Sequence, residues 1–337
     1  MNRHASEREQ LELFRAQPAE DMALRDAQDL MAYPFFSLAK SRRVVPIRFE
    51  AGGVSLTVEG VPEHGIATIW DADVLIWAAS QIVQARDEGR ATSRLMAATP
   101  HEILRFAGRG TAPKDYRMLR ASLDRLQSTT VLTSIRQAGR RMHRFSWINE
   151  WREHVRSDGR RNGQSGGIEL ILPDWFYSGV IQNALVLTLD PAYFRLTGGI
   201  ERWLYRLVRK HGGRQPGGWR FELRYLYLKS GSLQRYRDFA LHLRALAARQ
   251  TLPGYRLAIE WRGRTEWLTF RKVGAADPVA AAPGDLSTGY VEEAVDSLCA
   301  GSGNHRRGAQ GIAGARHRES PAQKRREPAR GNGLGLA

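Results

Sequence analysis

The sequence has little cysteine and no long apolar run. A single cysteine, Cys299, among 337 residues excludes a disulfide framework and a cysteine-based zinc site. The longest apolar runs, such as residues 184–189, have the length of a strand, so no transmembrane helix and no membrane partner are expected. Residues 1–17 are charged and lack the apolar centre of a secretion signal, and we therefore expect a cytoplasmic protein.

Motifs for nucleotide or metal chemistry are also missing. No Gly-x-x-x-x-Gly-Lys-Ser/Thr run occurs, which argues against a P-loop ATPase. The nine histidines are scattered, so a metal-dependent nicking enzyme lacks the ligands it would need. Asp71 and Asp73 could hold a metal, but acidic residues also stabilise a helix N-terminus, and we favour that second interpretation. We expect no catalytic residue, no metal and no cofactor.

Positive charge is abundant and consists almost entirely of arginine. The net charge is +16, and only six of the 51 basic residues are lysine. Residues 1–32 carry −3 and residues 275–337 carry +1, which leaves +18 on residues 33–274. Such a charge on the folded part of a chain is typical of a surface that binds a polyanion. A surface that is merely well solvated is the alternative.

The length and the composition shifts predict two folded domains with flanking segments. We expect an N-terminal helical arm at 1–32, a first domain at 33–156, a linker at 157–167, a second domain at 168–273 and a disordered Ala-, Gly- and Arg-rich tail at 274–337.

The first domain shows the order helix, helix, turn, helix and hairpin. A first helix follows Asp73, a second opens at Thr99-Pro100, and a third runs from Pro113 to about Gln127. The β-branched run Thr129–Arg136 and a return strand then form the hairpin. This is the order of a winged helix. We therefore predict an α+β fold with tandem winged-helix domains, each a helix-turn-helix followed by a β-hairpin wing.

An internal repeat at an offset of 120 residues extends this prediction to the second domain. The two sets with matching spacing are Tyr116, Arg117, Leu119, Leu123 and Leu126, and Tyr236, Arg237, Phe239, Leu243 and Leu246. A tryptophan-bearing helix precedes each set, and a hairpin with a basic tip follows it. Any amphipathic helix can show this spacing, so the tandem interpretation rests on the matched order of five elements.

The candidate DNA contacts lie on the outward faces of the two third helices and on the hairpin tips. In the first domain they are Lys114, Arg117, Arg120, Arg125, Arg140 and Arg141. In the second domain they are Gln234, Arg235, Arg237, Arg244, Arg262 and Arg264. Arginine can bond a guanine edge in two places or hold a phosphate, whereas a surface salt bridge is the alternative for each one. Arg160 and Arg161 in the linker could touch the DNA backbone between the domains.

Several long strings resemble the replication initiator protein A family of bacterial plasmids. They are Gly65–Ile82, Tyr116–Leu119, Leu123–Thr129 and Phe145–Trp151, within a similarity that spans about Tyr33 to Lys272. The resemblance implies an initiator that binds repeated double-stranded DNA sites at a plasmid origin and helps to melt adjacent A·T-rich DNA. It also implies partners among the host initiator and helicase-loading factors, and repression of its own promoter, often as a homodimer.

Two other functions stay open at this point. A dedicated transcriptional repressor could use the same fold, and it would differ from an initiator in being dispensable for plasmid replication. A nicking or priming enzyme is the third hypothesis, and the missing metal ligands disfavour it. A tandem pair of winged helices suits direct repeats one DNA turn long, because each domain can enter one major groove on the same side of the duplex.

Overall fold

The computed structural model describes residues 7–18, 22–139, 141–155, 165–182, 185–213, 215 and 217–274. Eight α-helices and thirteen strands in these residues form a mixed α+β fold, which confirms the predicted class. In the same residues no helix is both long enough and apolar enough to cross a membrane. The predicted tail lies outside the described residues except for Gly274.

The N-terminal segment is not the helical arm that the sequence suggested. Its described residues form a 3-10 turn at Glu7–Gln10, two short strands, β1 (Leu13–Arg15) and β2 (Arg25–Ala27), and a five-residue helix, α1 (Gln28–Ala32). Both strands pair with strands from the body of the fold. Phe14 is buried between two exposed neighbours, which is the alternation of a strand. The apolar residues here are too sparse to form a helical face.

The first half of the chain, after α1, alternates strands and helices. In chain order its elements are β3 (Ile47–Ala51), β4 (Val54–Gly60), α2 (Ala72–Asp87), β5 (Leu95–Ala98), α3 (Pro100–Phe106), α4 (Pro113–Ser128), β6 (Thr129–Thr133), β7 (His143–Ser146), β8 (Glu150–Val155) and β9 (Ser165–Ile171). The predicted start of α3 is confirmed. The Thr99 hydroxyl accepts from the amide of Glu102 at 3.2 Å, and the Glu102 carboxylate accepts from the amide of Thr99 at 2.8 Å.

These strands belong to two different sheets. One has the order β3–β4–β6–β7 and is antiparallel throughout. The other has the order β1–β5–β9–β8, in which β8 and β9 are antiparallel neighbours. The chain between β8 and β9 contains most of the predicted linker, residues 157–167. Its residues 165–167 lie in β9, and the rest, including Arg160 and Arg161, lies outside the described residues.

The second half has helices in the same order as the first half, but its main sheet has three strands. Its elements are α5 (Asp174–Ile181), β10 (Val186–Thr188), a 3-10 turn (Pro191–Arg195), α6 (Gly199–Gly212), β11 (Trp219–Glu222), α7 (Leu223–Ser230), α8 (Tyr236–Arg249), β12 (Tyr255–Arg262) and β13 (Thr265–Lys272). The sheet has the order β11–β13–β12, and β10 pairs with β2.

The two halves share one order of elements, but the hairpin assigned to the first repeat was the wrong one. In the second half, β11 lies between the first two helices and pairs with β13 of the hairpin β12–β13. In the first half, the strand between α2 and α3 is β5, and it pairs with β9 of the hairpin β8–β9. The hairpin β6–β7, which the sequence predicted as the wing, belongs to the sheet of β3 and β4. The sheet to which each hairpin belongs depends on pairing with strands far away in the chain. Local sequence patterns give no information about such pairing.

One apolar core extends through both halves. Trp77 on α2 and Trp203 on α6 are both buried, as expected for core tryptophans. Two buried ion pairs add to this core. Asp26 of the N-terminal segment pairs with Arg206 of the second half at 2.7 Å, and Asp73 of the first half pairs with Arg202 of the second half at 2.8 Å. The shared core and these ion pairs thus hold the helices of the two halves together. The domain boundaries at 33, 157 and 168 stay predictions.

Candidate nucleic-acid interface

Helix α4 presents a basic face to solvent and an apolar face to the core. Leu119, Leu123 and Leu126 are buried, so the helix rests on the side that the periodicity predicted. Lys114 and Arg117 are exposed on the other side. Pro113 occupies the first turn, where its missing amide proton costs no hydrogen bond. Both cations stand near the N-terminal end of the helix.

Arg120, a predicted DNA contact, is engaged with the hairpin β8–β9. Its Nε and Nη2 donate to the two carboxylate oxygens of Glu153 on β8 at 2.7 and 2.8 Å. These hydrogen bonds raise the pKa of Arg120. The guanidinium remains partly exposed, so it fixes the hairpin relative to α4 and still faces solvent. Its contact with DNA stays a prediction.

Arg125 is committed to a buried carboxylate of its own half. Its Nε and Nη2 donate to Asp71 at 2.7 Å each, and Ser122 donates to the same carboxylate at 2.6 Å. The hydrogen bonds to Asp71 raise the pKa of Arg125. This geometry ties α4 to the start of α2, and a guanidinium held in this way has little freedom left for a base or a phosphate.

The acidic pair at the start of α2 binds arginines. Asp71 is the N-cap residue of α2 and Asp73 lies in its first turn, as predicted. Asp73 accepts from Arg109 at 2.9 Å and from Arg202 at 2.8 Å. No group of three or more His, Cys, Asp or Glu side chains that could hold a metal is found in the part of the chain that the structure describes.

Helix α8 has the same design as α4. Phe239, Leu243 and Leu246 are buried, and Arg237 is exposed at the position that corresponds to Arg117. Gln234 and Arg235 are exposed just before the helix begins. Each third helix therefore offers an exposed arginine at an equivalent place in the repeat, Arg117 in the second turn of α4 and Arg237 in the first turn of α8.

Arg244 connects α8 to its hairpin as Arg120 connects α4 to β8. Its Nε and Nη2 donate to Glu266 on β13, both at 2.6 Å. These hydrogen bonds raise the pKa of Arg244. The side chain is about as exposed as that of Arg120, although the two residues are not equivalent in the repeat. The same kind of helix–hairpin connection thus occurs in both halves.

The tip of the hairpin β12–β13 is basic and exposed. Gly263 has a φ of 59° in the two-residue turn, a conformation that glycine adopts without strain. Arg262 and Arg264 flank it and are exposed. Arg262 is 3.6 Å from Glu260, a loose pair at the surface. Long cationic side chains on such a tip can reach a DNA backbone.

The tip of the hairpin β6–β7 carries the other two predicted contacts, Arg140 and Arg141. Arg141 is exposed, and Arg140 lies outside the described residues. Because this hairpin belongs to the sheet of β3 and β4, its tip is not the counterpart of the tip at Arg262 and Arg264.

Sequence reasoning missed several exposed apolar side chains in the second half, among them one on α8 and one beside the hairpin tip. Leu241 on α8 is 62% exposed, and Trp261 beside the hairpin tip is 63% exposed. Tryptophans within helix and strand patterns usually lie in the core, as Trp77 and Trp203 do, whereas Trp261 on β12 does not. The helical period did contain a signal for Leu241, because the residue lies two positions from both Phe239 and Leu243 and so cannot share their face.

The fold is similar to that of a solved structure from another protein. The crystal structure of SeMet derivatives of domains 2 and 3 of RctB matches with a TM-score of 0.53. The match covers 73% of this chain and 97% of the RctB chain, at 16% sequence identity. At that identity the likeness concerns the fold.

Sequence relatives identify the family. A protein of Wigglesworthia glossinidia brevipalpis named "Putative replication protein" is 28% identical over 249 residues, which is 73% of this chain and 88% of the relative. Residues 25–257 match the family model Replication initiator protein A. The chain therefore belongs to the replication initiator protein A family, and the resemblance seen in the sequence is confirmed.

Proposed function

We propose that this replication initiator family member binds double-stranded DNA sequence-specifically, with α4 and α8 as its recognition helices. The observation that carries the proposal is the repeated placement of Arg117 and Arg237, each exposed in the first turns of the third helix of its half. Arginine is the residue that reads guanine most often in the major groove. The charge of +18 on residues 33–274 favours a polyanionic ligand.

Each half would then be a winged helix. Its wing would be the hairpin that pairs with the strand between the first two helices. This assigns β8–β9 to the first half and β12–β13 to the second. The ion pairs Arg120–Glu153 and Arg244–Glu266 support it, since each holds a third helix against the proposed wing. Arg262 and Arg264 would contact phosphates and position the second half without reading sequence.

At the level of the cell, we propose that the protein binds repeated sites at a plasmid origin, promotes opening of the adjacent DNA and recruits host replication factors. The family membership supports the initiator role. Opening would draw on the free energy of binding and bending DNA, without a catalytic site of the protein's own. The expected homodimer stays a prediction, and light scattering of the free and DNA-bound protein would measure it.

Selection of bound duplexes from a random pool tests the proposal. The wild-type protein should enrich one motif, and Arg117→Ala and Arg237→Ala should each weaken binding by about 1–3 kcal/mol and relax the motif at one position. Arg48→Ala is the matched control, because Arg48 is an exposed arginine on β3 and belongs to neither third helix. No enriched motif, or a motif unchanged in both variants, would refute the assignment.

A plasmid assay separates the initiator from a repressor. The gene is placed beside the selected site on a plasmid that has no other origin, and transformants are counted in a host that cannot replicate the vector. Replication that is lost in the Arg117→Ala/Arg237→Ala double variant supports an initiator. Promoter repression without replication would favour the repressor.

A further inference from the structure

Leu241 occupies an unusual place on α8. A helix turns about 100° per residue, so Leu241 lies about 200° around the axis from both Phe239 and Leu243, which are buried. The side chain therefore stands at the centre of the solvent face, 62% exposed, on a helix that buries its other leucines. A large aliphatic side chain at the centre of an exposed helical face adds nothing to the core.

The neighbours of Leu241 on this face indicate which part of a duplex it would meet. Arg237 lies one turn earlier and is exposed, and Asp238 beside it is exposed as well. A carboxylate at this point is repelled by phosphates but can accept a hydrogen bond from the cytosine amino group. Arg244, one turn later, is held by Glu266. The centre of the face thus suits base edges, with cations along its flank.

The two third helices differ at this position. The residue of α4 that corresponds to Leu241 in the repeat is Ala121, which is partly buried. The exposed apolar residue of α4 is Met118, 57% exposed, and its counterpart on α8 is Asp238. The arginines at 117 and 237 match, whereas the chemistry around them does not. Equivalent helices with different central residues read different bases.

We propose that Leu241 reads thymine through its 5-methyl group in the major groove, beside the base that Arg237 contacts. The thymine methyl is the one apolar group that base pairs display in that groove, and aliphatic side chains recognise it by contact. The inference rests on the proposed DNA binding of α8. It implies that the half-sites of the two halves are unlike, with the thymine specific to the second half.

A methyl-deletion scan tests this. Each thymine of the selected site is replaced singly by deoxyuridine, which removes the methyl group and keeps the base pair. At one position the wild-type protein should lose about fourfold in affinity, which corresponds to one methyl group returned to water. Leu241→Ala should bind the natural site more weakly and show no loss at that position, because the partner of the methyl group is already gone.

Met118→Ala is the matched control, since it removes an equally exposed apolar side chain from the other third helix. It should keep the full fourfold response at the thymine assigned to Leu241. Because both side chains are exposed, the variants should unfold at the wild-type temperature, which thermal denaturation checks. If the wild type shows no thymine response, or if Leu241→Ala keeps it, the inference is wrong. If the wild type selects no duplex motif at all, the proposed function fails instead.

Discussion

Replacing Asp26 by asparagine should destabilise the protein strongly, although the change is nearly isosteric. Asp26 lies on β2 and accepts from Nε and Nη2 of Arg206 on α6 at 2.7 and 3.1 Å. Both side chains are almost fully buried, and Nη1 of Arg206 has no hydrogen-bond partner among the described residues. A neutral amide in place of the carboxylate would leave the guanidinium charge buried without a counter-ion. Breaking a buried pair in this way costs about 3–5 kcal/mol.

The measurement is urea denaturation followed by circular dichroism, with the free energy of unfolding extrapolated to water. A double variant, Asp26→Val with Arg206→Met, removes both charges together. It should lie within about 2 kcal/mol of the wild type, because no unpaired charge remains. If Asp26→Asn costs less than about 1 kcal/mol, Arg206 finds water or another partner, and the pair does not hold β2 against α6 as the structure indicates.

Three further predictions concern Arg125, Lys229 and the tip of the hairpin β12–β13. Arg125→Ala should lower the free energy of unfolding by about 2–3 kcal/mol, because Asp71 stays buried without its cation, and an unchanged urea midpoint would contradict this. Burial lowers the pKa of Lys229 to about 7, so the unfolded chain binds more protons than the folded one between about pH 7 and pH 10. Stability should therefore rise by about 2 kcal/mol from pH 7 to pH 9, and the rise should shrink in Lys229→Met, as urea titrations at the two pH values would show. Arg262→Ala and Arg264→Ala should each reduce the slope of log affinity against log salt by about 0.9 without changing the selected motif, and a changed motif would mean base contact.

Local patterns in the sequence were sufficient to locate the helices α3 and α4. The period of buried leucines located α4 within one residue at either end, and Thr99-Pro100 located the start of α3 through its capping chemistry. The exposed positions of Arg117 and Arg237 follow from the same period. These features depend on residues three or four positions apart, which a single sequence displays directly.

The partners of strands and of charged side chains were beyond such patterns. Residues 157–167 were interpreted as a linker because they are rich in glycine and arginine. They lie within the hairpin β8–β9, and only the pairing of β9 with β5 shows where that hairpin belongs. Arg125 was assigned to DNA because it lies on the polar side of α4. The carboxylate that accepts its hydrogen bonds belongs to Asp71, which lies 54 residues earlier in the chain. No periodicity connects residues at that separation, so the fold had to be known first.

The first turn of α2 has a consequence for the DNA sites that one molecule can occupy. Asp71 fastens α4 through Arg125, and two residues later Asp73 fastens α6 of the other half through Arg202. If the two halves bind DNA as proposed, these two carboxylates fix the distance between α4 and the second half. They therefore set the separation of the two half-sites. Insertions between β8 and β9 would lengthen a hairpin and leave the permitted spacing of a repeat unaltered.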